Sequence, residues 1–206
     1  MEEQLIEKLN KYLQSLTVAQ QNAHILHWNV VGKGFRSAHL QFKDVYEDFF
    51  NKTDEVAELI RIHDGIPTAS LTDCIQGSQI EEISSKRNFK VLNALKMCLE
   101  DVKDIIDICN DVVIFANENN FIDVSDTLGS HSSDIGKLKY FLDSMSSEES
   151  DLSESEIKKE RTDFKNLDVD KSESDYIKNP GADYERPDAP GKPKTSTEQN
   201  IKDFRN

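Results

Sequence analysis

His27-Trp28-Asn29-Val30-Val31-Gly32-Lys33-Gly34-Phe35-Arg36-Ser37-Ala38-His39 is the stretch that decides the fold of this chain. It lies between two long apolar-periodic runs, and its glycines interrupt both. Upstream, Leu5, Leu9, Tyr12, Leu16, Ala19, Ala23 and Leu26 recur every three or four residues, as one buried face of a helix requires. Downstream, Phe42, Val45, Phe49, Val56 and Ile60 repeat the pattern until Gly65 and Pro67 supply a stop. The segment therefore reads as the tight turn of a helical hairpin with a histidine on either side.

A second hairpin follows further along. Leu92, Leu95, Leu99, Val102, Ile106, Cys109, Val113 and Ala116 mark a third helix, ended by the polar cluster Asn117 to Asn120. Leu128, His131, Ile135, Leu138, Leu142 and Met145 mark a fourth, with Asp123 or Ser125 as its expected N-cap. No strand signal interrupts them. The two hairpins are joined by a long linker, about residues 65–86, with room for one short helix after Thr72. Such a linker can run the length of a bundle, so the expected architecture is all-α: four helices over residues 1–145 with a crossover between the second and third.

From residue 146 to 206 the character changes. Four of the five prolines (Pro180, Pro187, Pro190 and Pro193) fall there among Ser, Asp, Glu and Lys, with 16 acids against 11 bases. No apolar period survives, and an acidic, disordered tail is expected, with Tyr176, Tyr184 and Phe204 as its anchors for a partner. The chain as a whole carries a net charge of −14, which opposes nucleic-acid binding and suits a protein that handles cations or simply stays soluble. Cys74, Cys98 and Cys109 form no CxxC pair, and no long apolar run or basic leader is present; a cytoplasmic protein without membrane contact is expected.

The chemistry is concentrated around the first hairpin. Imidazoles and carboxylates together suit iron or zinc. The turn brings His27 and His39 to one end of the hairpin, while Asp54 and Glu58, four residues apart, share one face of the second helix. His39 and Asp54 are separated by roughly 22 Å of helix axis, so one chain cannot place all four on one ion. An antiparallel copy packed about a twofold axis would set His27 and His39 of one subunit against Asp54 and Glu58 of the other. The sequence contains no Glu-x-x-His, the pair from which bundles build a centre within one chain.

The pattern His-Trp-x-x-x-Gly-x-x-Phe-x-x-x-His, followed at Asp54 by Asp-Glu-x-Ala-Glu, resembles Dps, the ferritin-like mini-ferritins named DNA-binding protein from starved cells. The likeness covers residues 1 to about 145 in architecture and is motif-specific from His27 to Glu58. It implies a hollow, dodecameric homo-oligomer that oxidises Fe(II) with hydrogen peroxide or oxygen and stores the ferric product, a protection against oxidative stress. On this resemblance His27, His39, Asp54 and Glu58 are the metal ligands of the ferroxidase centre, iron is the metal, and Trp28 is the tryptophan that intercepts radicals beside it.

One position departs from the family pattern. Four residues after the second histidine, where many members carry Asp, this chain has Lys43, and a positive charge there opposes a second iron. Glu47, two turns past His39, is the better placed of the nearby acids to compensate. His24, His63 and His131 are expected at the surface or an interface rather than as ligands. Asp123, Asp126 and Asp134 are read either as acids that draw Fe(II) toward a pore or as ordinary acids near a helix start. The alternative to a ferroxidase is a non-catalytic structural or adaptor bundle, with DNA compaction disfavoured by the net acidity.

Overall fold

A computed structural model describes residues 1–83 and 85–147. Four long helices make the body: α1 (Glu2–Asn29), α2 (Phe35–Ile62), α4 (Val91–Glu118) and α5 (Ile122–Ser146). A short helix, α3 (Leu71–Gly77), lies in the crossover between α2 and α4. α1 packs along α2 and α4 along α5, and α1 against α4 joins the two hairpins. Among the described residues no helix is long and apolar enough to cross a membrane. The expected tail falls, apart from its first two residues, outside the described residues.

The apolar faces predicted for α1 and α2 are buried throughout, from Leu5 to Leu26 and from Phe42 to Ile60. α4 is turned slightly from its predicted face: Ile105, Ile108 and Val112 are buried, Ile106 and Val113 are only partly covered, and Leu92 is 37% exposed. Adjacent isoleucines and valines leave the phase of such a helix ambiguous within one residue, and packing decides it.

What the periodicity did not reveal is how the crossover is strapped down. Four polar side chains on the back of α1 hold it. Asn10 accepts from the Thr68 amide at 2.7 Å, Gln14 donates to the Thr68 carbonyl at 2.9 Å, and Ser15 accepts from the Gln79 amide at 3.0 Å. Asn22, fully buried, donates to the Glu81 carbonyl and to Asp101 Oδ2, each at 2.9 Å, and accepts from the Ile83 amide at 3.0 Å. A linker without its own ladder must satisfy its backbone groups somewhere, and α1 does it side chain by side chain.

Two expectations need correction. The absence of strands is broken by a two-residue parallel pairing, β1 (Val30–Val31) with β2 (Phe89–Lys90). Pairs this short carry no alternation to read; they tie the end of the crossover to the turn of the first hairpin. The start of α5 is also different, since its N-cap is Phe121 and neither Asp123 nor Ser125 caps it. Asn120, at φ 62°, turns the chain sharply after α4, and Phe121 packs against the core, so the helix begins earlier than the polar residues suggested.

Candidate metal centre

His27 ends α1 and His39 stands in the second turn of α2. Gly32 (φ 117°) and Gly34 (φ 82°) make the reversal in left-handed backbone that side-chain-bearing residues rarely adopt. The two imidazoles are thereby stacked, with ring centres 3.7 Å apart and planes 19° from parallel. His27 Nδ1 lies 2.7 Å from the His39 carbonyl oxygen, and His39 Nδ1 lies 2.8 Å from that of His27. A carbonyl can only accept, so both Nδ1 atoms carry the proton, and in each neutral ring the lone pair is left on Nε2. This is the tautomer that a backbone carbonyl selects for a metal-binding histidine. Burial above all, with the neighbouring His39 and Lys43, holds His27 below its ordinary pKa despite the opposing hydrogen bond to His39.

Lys43, one turn beyond His39, forms an ion pair with Glu47. The compensating acid anticipated for Lys43 is therefore engaged with it directly. Trp28 is 63% exposed and lies flat on His24, with ring centres 5.1 Å apart and planes 9° from parallel. His24 also meets Tyr46 at 3.9 Å, and Tyr46 stands edge-on to His27 at 5.3 Å. Tyr46 was missed in the sequence, although its place seven residues after His39, two turns along the same face, could have pointed to it.

Asp54 and Glu58 are exposed on α2. The structure brings His27 and His39 together and leaves the carboxylates apart from them, as the helix length demands. Among the described residues no three His, Cys, Asp or Glu side chains gather closely enough to hold a metal ion. Phe50 and Ile62, near the carboxylates on α2, are 62% and 67% exposed, an apolar surface on the same helix.

The bundle interior has polar groups of its own. His131, expected at the surface, is buried: its Nε2 pairs with Glu55 at 2.9 Å and its Nδ1 lies 3.4 Å from the Tyr12 hydroxyl. Its position on the apolar stripe with Leu128 and Ile135 outweighed its polarity. Beside it Lys52, also buried, pairs with Asp48 at 2.6 Å and more loosely with Asp134 at 3.6 Å. Where a bundle with an intrachain centre would hold its cations between helices, this one holds an ammonium. His63 pairs with Asp123 at 3.0 Å. All three cysteines are free and buried, and burial pushes the Cys98 thiol well up and that of Cys109 to about 11, so neither is a reactive thiolate.

Two helical hairpins linked by a long crossover strap define the ferritin-like class. The sequence model of the ferritin-like domain matches residues 6–149, and the chain belongs to that family, as a protein of the Dps type. It is 26% identical over 117 residues to general stress protein 20U of Bacillus subtilis (strain 168), a match covering 54% of this chain and 81% of the relative. It is 34% identical over 82 residues to DNA protection during starvation protein 2 of Bacillus anthracis, covering 40% and 56%. Among solved structures, Dps from Vibrio cholerae O1, described as a member of a broad superfamily of ferritin-like diiron-carboxylate proteins, superposes with a TM-score of 0.65 at 24% identity, over 69% of this chain and 89% of that one.

Proposed function

We propose that two copies of this chain pair about a twofold axis, so that His27 and His39 of one subunit and Asp54 and Glu58 of the other form a ferroxidase centre. The observation that carries this reading is the exchange of Nδ1 hydrogen bonds between the histidines, which leaves two Nε2 lone pairs side by side and committed to no partner within that exchange. Two neutral imidazoles make half of a ligand set. The other half, an exposed carboxylate pair one helical turn apart, lies on a surface whose apolar residues favour burial against another chain.

In this arrangement iron is the substrate. The carboxylates attract and bind Fe(II), the imidazoles complete its coordination, and hydrogen peroxide or oxygen takes the electrons. Trp28, exposed beside the histidines, intercepts stray one-electron oxidants. The ferric product is stored inside a hollow homo-oligomer, expected to be a dodecamer, and the protein serves as a cytoplasmic iron store and a defence against oxidative stress. The family title shared by the Vibrio cholerae relative, which names diiron-carboxylate proteins, supports the metal assignment. The net charge of −14 supports iron over DNA as the partner.

Fe(II) mixed with the purified protein and peroxide should be oxidised faster than in buffer and remain soluble as mineral. Asp54→Ala with Glu58→Ala should abolish this while native mass shows the same assembly. Oxidation no faster than in buffer would exclude the ferroxidase reading. A second reading, a structural bundle without iron chemistry, is favoured by one observation, the Lys43–Glu47 pair beside the imidazoles. Anomalous scattering from iron-soaked crystals separates the two.

A further inference from the structure

The two hairpins meet along α1 and α4 and again where α2 runs against α5, there over a narrow seam. Polar pairs span that seam along its length. His63 reaches Asp123 at 3.0 Å, Glu55 reaches His131 at 2.9 Å, and Lys52 reaches Asp134 at 3.6 Å. His131 and Lys52 are 2% and 4% exposed, so the middle of the seam is a polar cluster enclosed by the bundle. Around the imidazole stand Tyr12 from α1, Asp48, Lys52 and Glu55 from α2, Cys109 from α4 behind Tyr12, and Asp134 three residues further along α5.

The hydrogen bonds suit a neutral ring. A carboxylate only accepts, so His131 Nε2 carries a proton toward Glu55, and Nδ1 keeps its lone pair for the Tyr12 hydroxyl 3.4 Å away. A second proton, on Nδ1, faces the hydrogen of that hydroxyl, and the phenol must turn it elsewhere. The acceptor at hand is the Cys109 sulfur, a weak one, whose own hydrogen is given to the Leu128 carbonyl at 3.2 Å. The new charge would also lie inside the bundle near the Lys52 ammonium. Burial, first of all, and that ammonium hold the ring below its ordinary 6.5, against the pull of Glu55 and Asp48. An imidazole released to water regains the ordinary value, so opening of the seam is coupled to uptake of a proton.

We propose that the contact between α2 and α5 is an acid-sensitive joint with His131 as its trigger, closed while the buried ring is neutral and opening locally when the ring takes up a proton. The stability that the neutral ring contributes is fully present above 6.5 and is lost as pH falls below it, because the freed ring binds the proton that the buried ring resists. Each hairpin is held by its own far more extensive packing, α1 on α2 and α4 on α5, and the α1–α4 contact still joins them. The hairpins therefore part along one side without either unfolding. This inference is independent of the ferroxidase reading, since none of the four residues proposed as iron ligands takes part in it.

The test is amide hydrogen exchange of the full-length assembled protein, corrected for the pH dependence of the chemical step. From pH 7.5 to 5.5, opening at residues 48–59 and 128–138 should rise by up to about tenfold, the limit set by protonation of a freed imidazole, with little change at residues 94–102 of α4. His131→Gln keeps a donor for Glu55 and an acceptor for Tyr12 but takes up no proton in this range. It should match the unaltered protein at pH 7.5 and lose the rise in acid. Protein made with 4-fluorohistidine, whose ring keeps its shape and stays neutral over the same range, should also lose the rise, and it decides the matter if His131→Gln does not assemble. Seam exchange that stays constant in acid, that rises equally along all four helices, or that rises undiminished in the variant or the fluorinated protein would overturn the joint.

Discussion

His27 and His39 brace one another: each ring donates from Nδ1 to the other's backbone carbonyl, at 2.7 and 2.8 Å, and the rings stack face to face between those bonds. Removing either imidazole leaves the other residue's backbone carbonyl without its donor. His39→Ala should abolish Co(II) binding and iron oxidation, and should also lower stability by about 1 kcal/mol through the one lost hydrogen bond. Urea unfolding and Co(II) absorption spectra measure the two effects separately. Unchanged Co(II) binding would remove the imidazoles from the centre.

Lys43 sets the charge beside those rings. Replacing it with Asp removes an ammonium, adds a carboxylate and releases Glu47 from its ion pair. Lys43→Asp should raise the number of divalent ions bound per centre, read by Co(II) titration. An unaltered stoichiometry would show that the lysine does not limit occupancy.

Asp101 makes stability depend on pH in a defined direction. Burial, first of all, pushes its carboxyl up to about 7 from 3.8, although the hydrogen bond from Asn22 works the other way. In the folded chain it therefore holds a proton that the unfolded chain has released between those values, and its contribution to stability is full below pH 3.8 and is lost as pH rises toward 7. Asp101→Asn keeps an acceptor for Asn22 and cannot ionise. It should raise stability at pH 8 by about 2 kcal/mol, with little change at pH 4. Equal effects at both pH values would locate the cause elsewhere. Paired melting curves of the two proteins at each pH make the comparison without interference from other groups, such as His27 and His131, whose lowered pKa values weaken the fold as pH falls below 6.5.

Asn22 is the clamp between α1, α4 and the crossover. Asn22→Ala leaves the Glu81 carbonyl, the Ile83 amide and Asp101 without their shared partner. A loss of about 2–3 kcal/mol is expected, with faster hydrogen exchange at Ile83 than at the helix interiors. Exchange that rises evenly over the whole bundle would show that the clamp has no local role.

The bundle was legible before any coordinate because its helices are long and their apolar stripes regular; Leu5 to Leu26 and Phe42 to Ile60 had only one way to be buried. The histidine pair was legible because two glycines at Gly32 and Gly34 force a tight reversal between them. Strand pairing at Val30 and Phe89 was not, since two residues carry no period. Neither was the burial of His131 and Lys52, whose polarity reads as surface until the partners Glu55, Asp48 and Asp134 are brought in from two helices.

Periodicity and spacing alone determined the four-helix bundle, its crossover, and the rule that His39 and Asp54 cannot meet within one chain, because those follow from the fixed rise and pitch of a helix. Only the tertiary structure decided which nitrogen of each histidine is free, that Lys43 pairs with Glu47, and that Tyr46 touches both His24 and His27. These are matters of a few ångströms between side chains on different turns or helices, and they are settled by how the helices rotate and pack against one another.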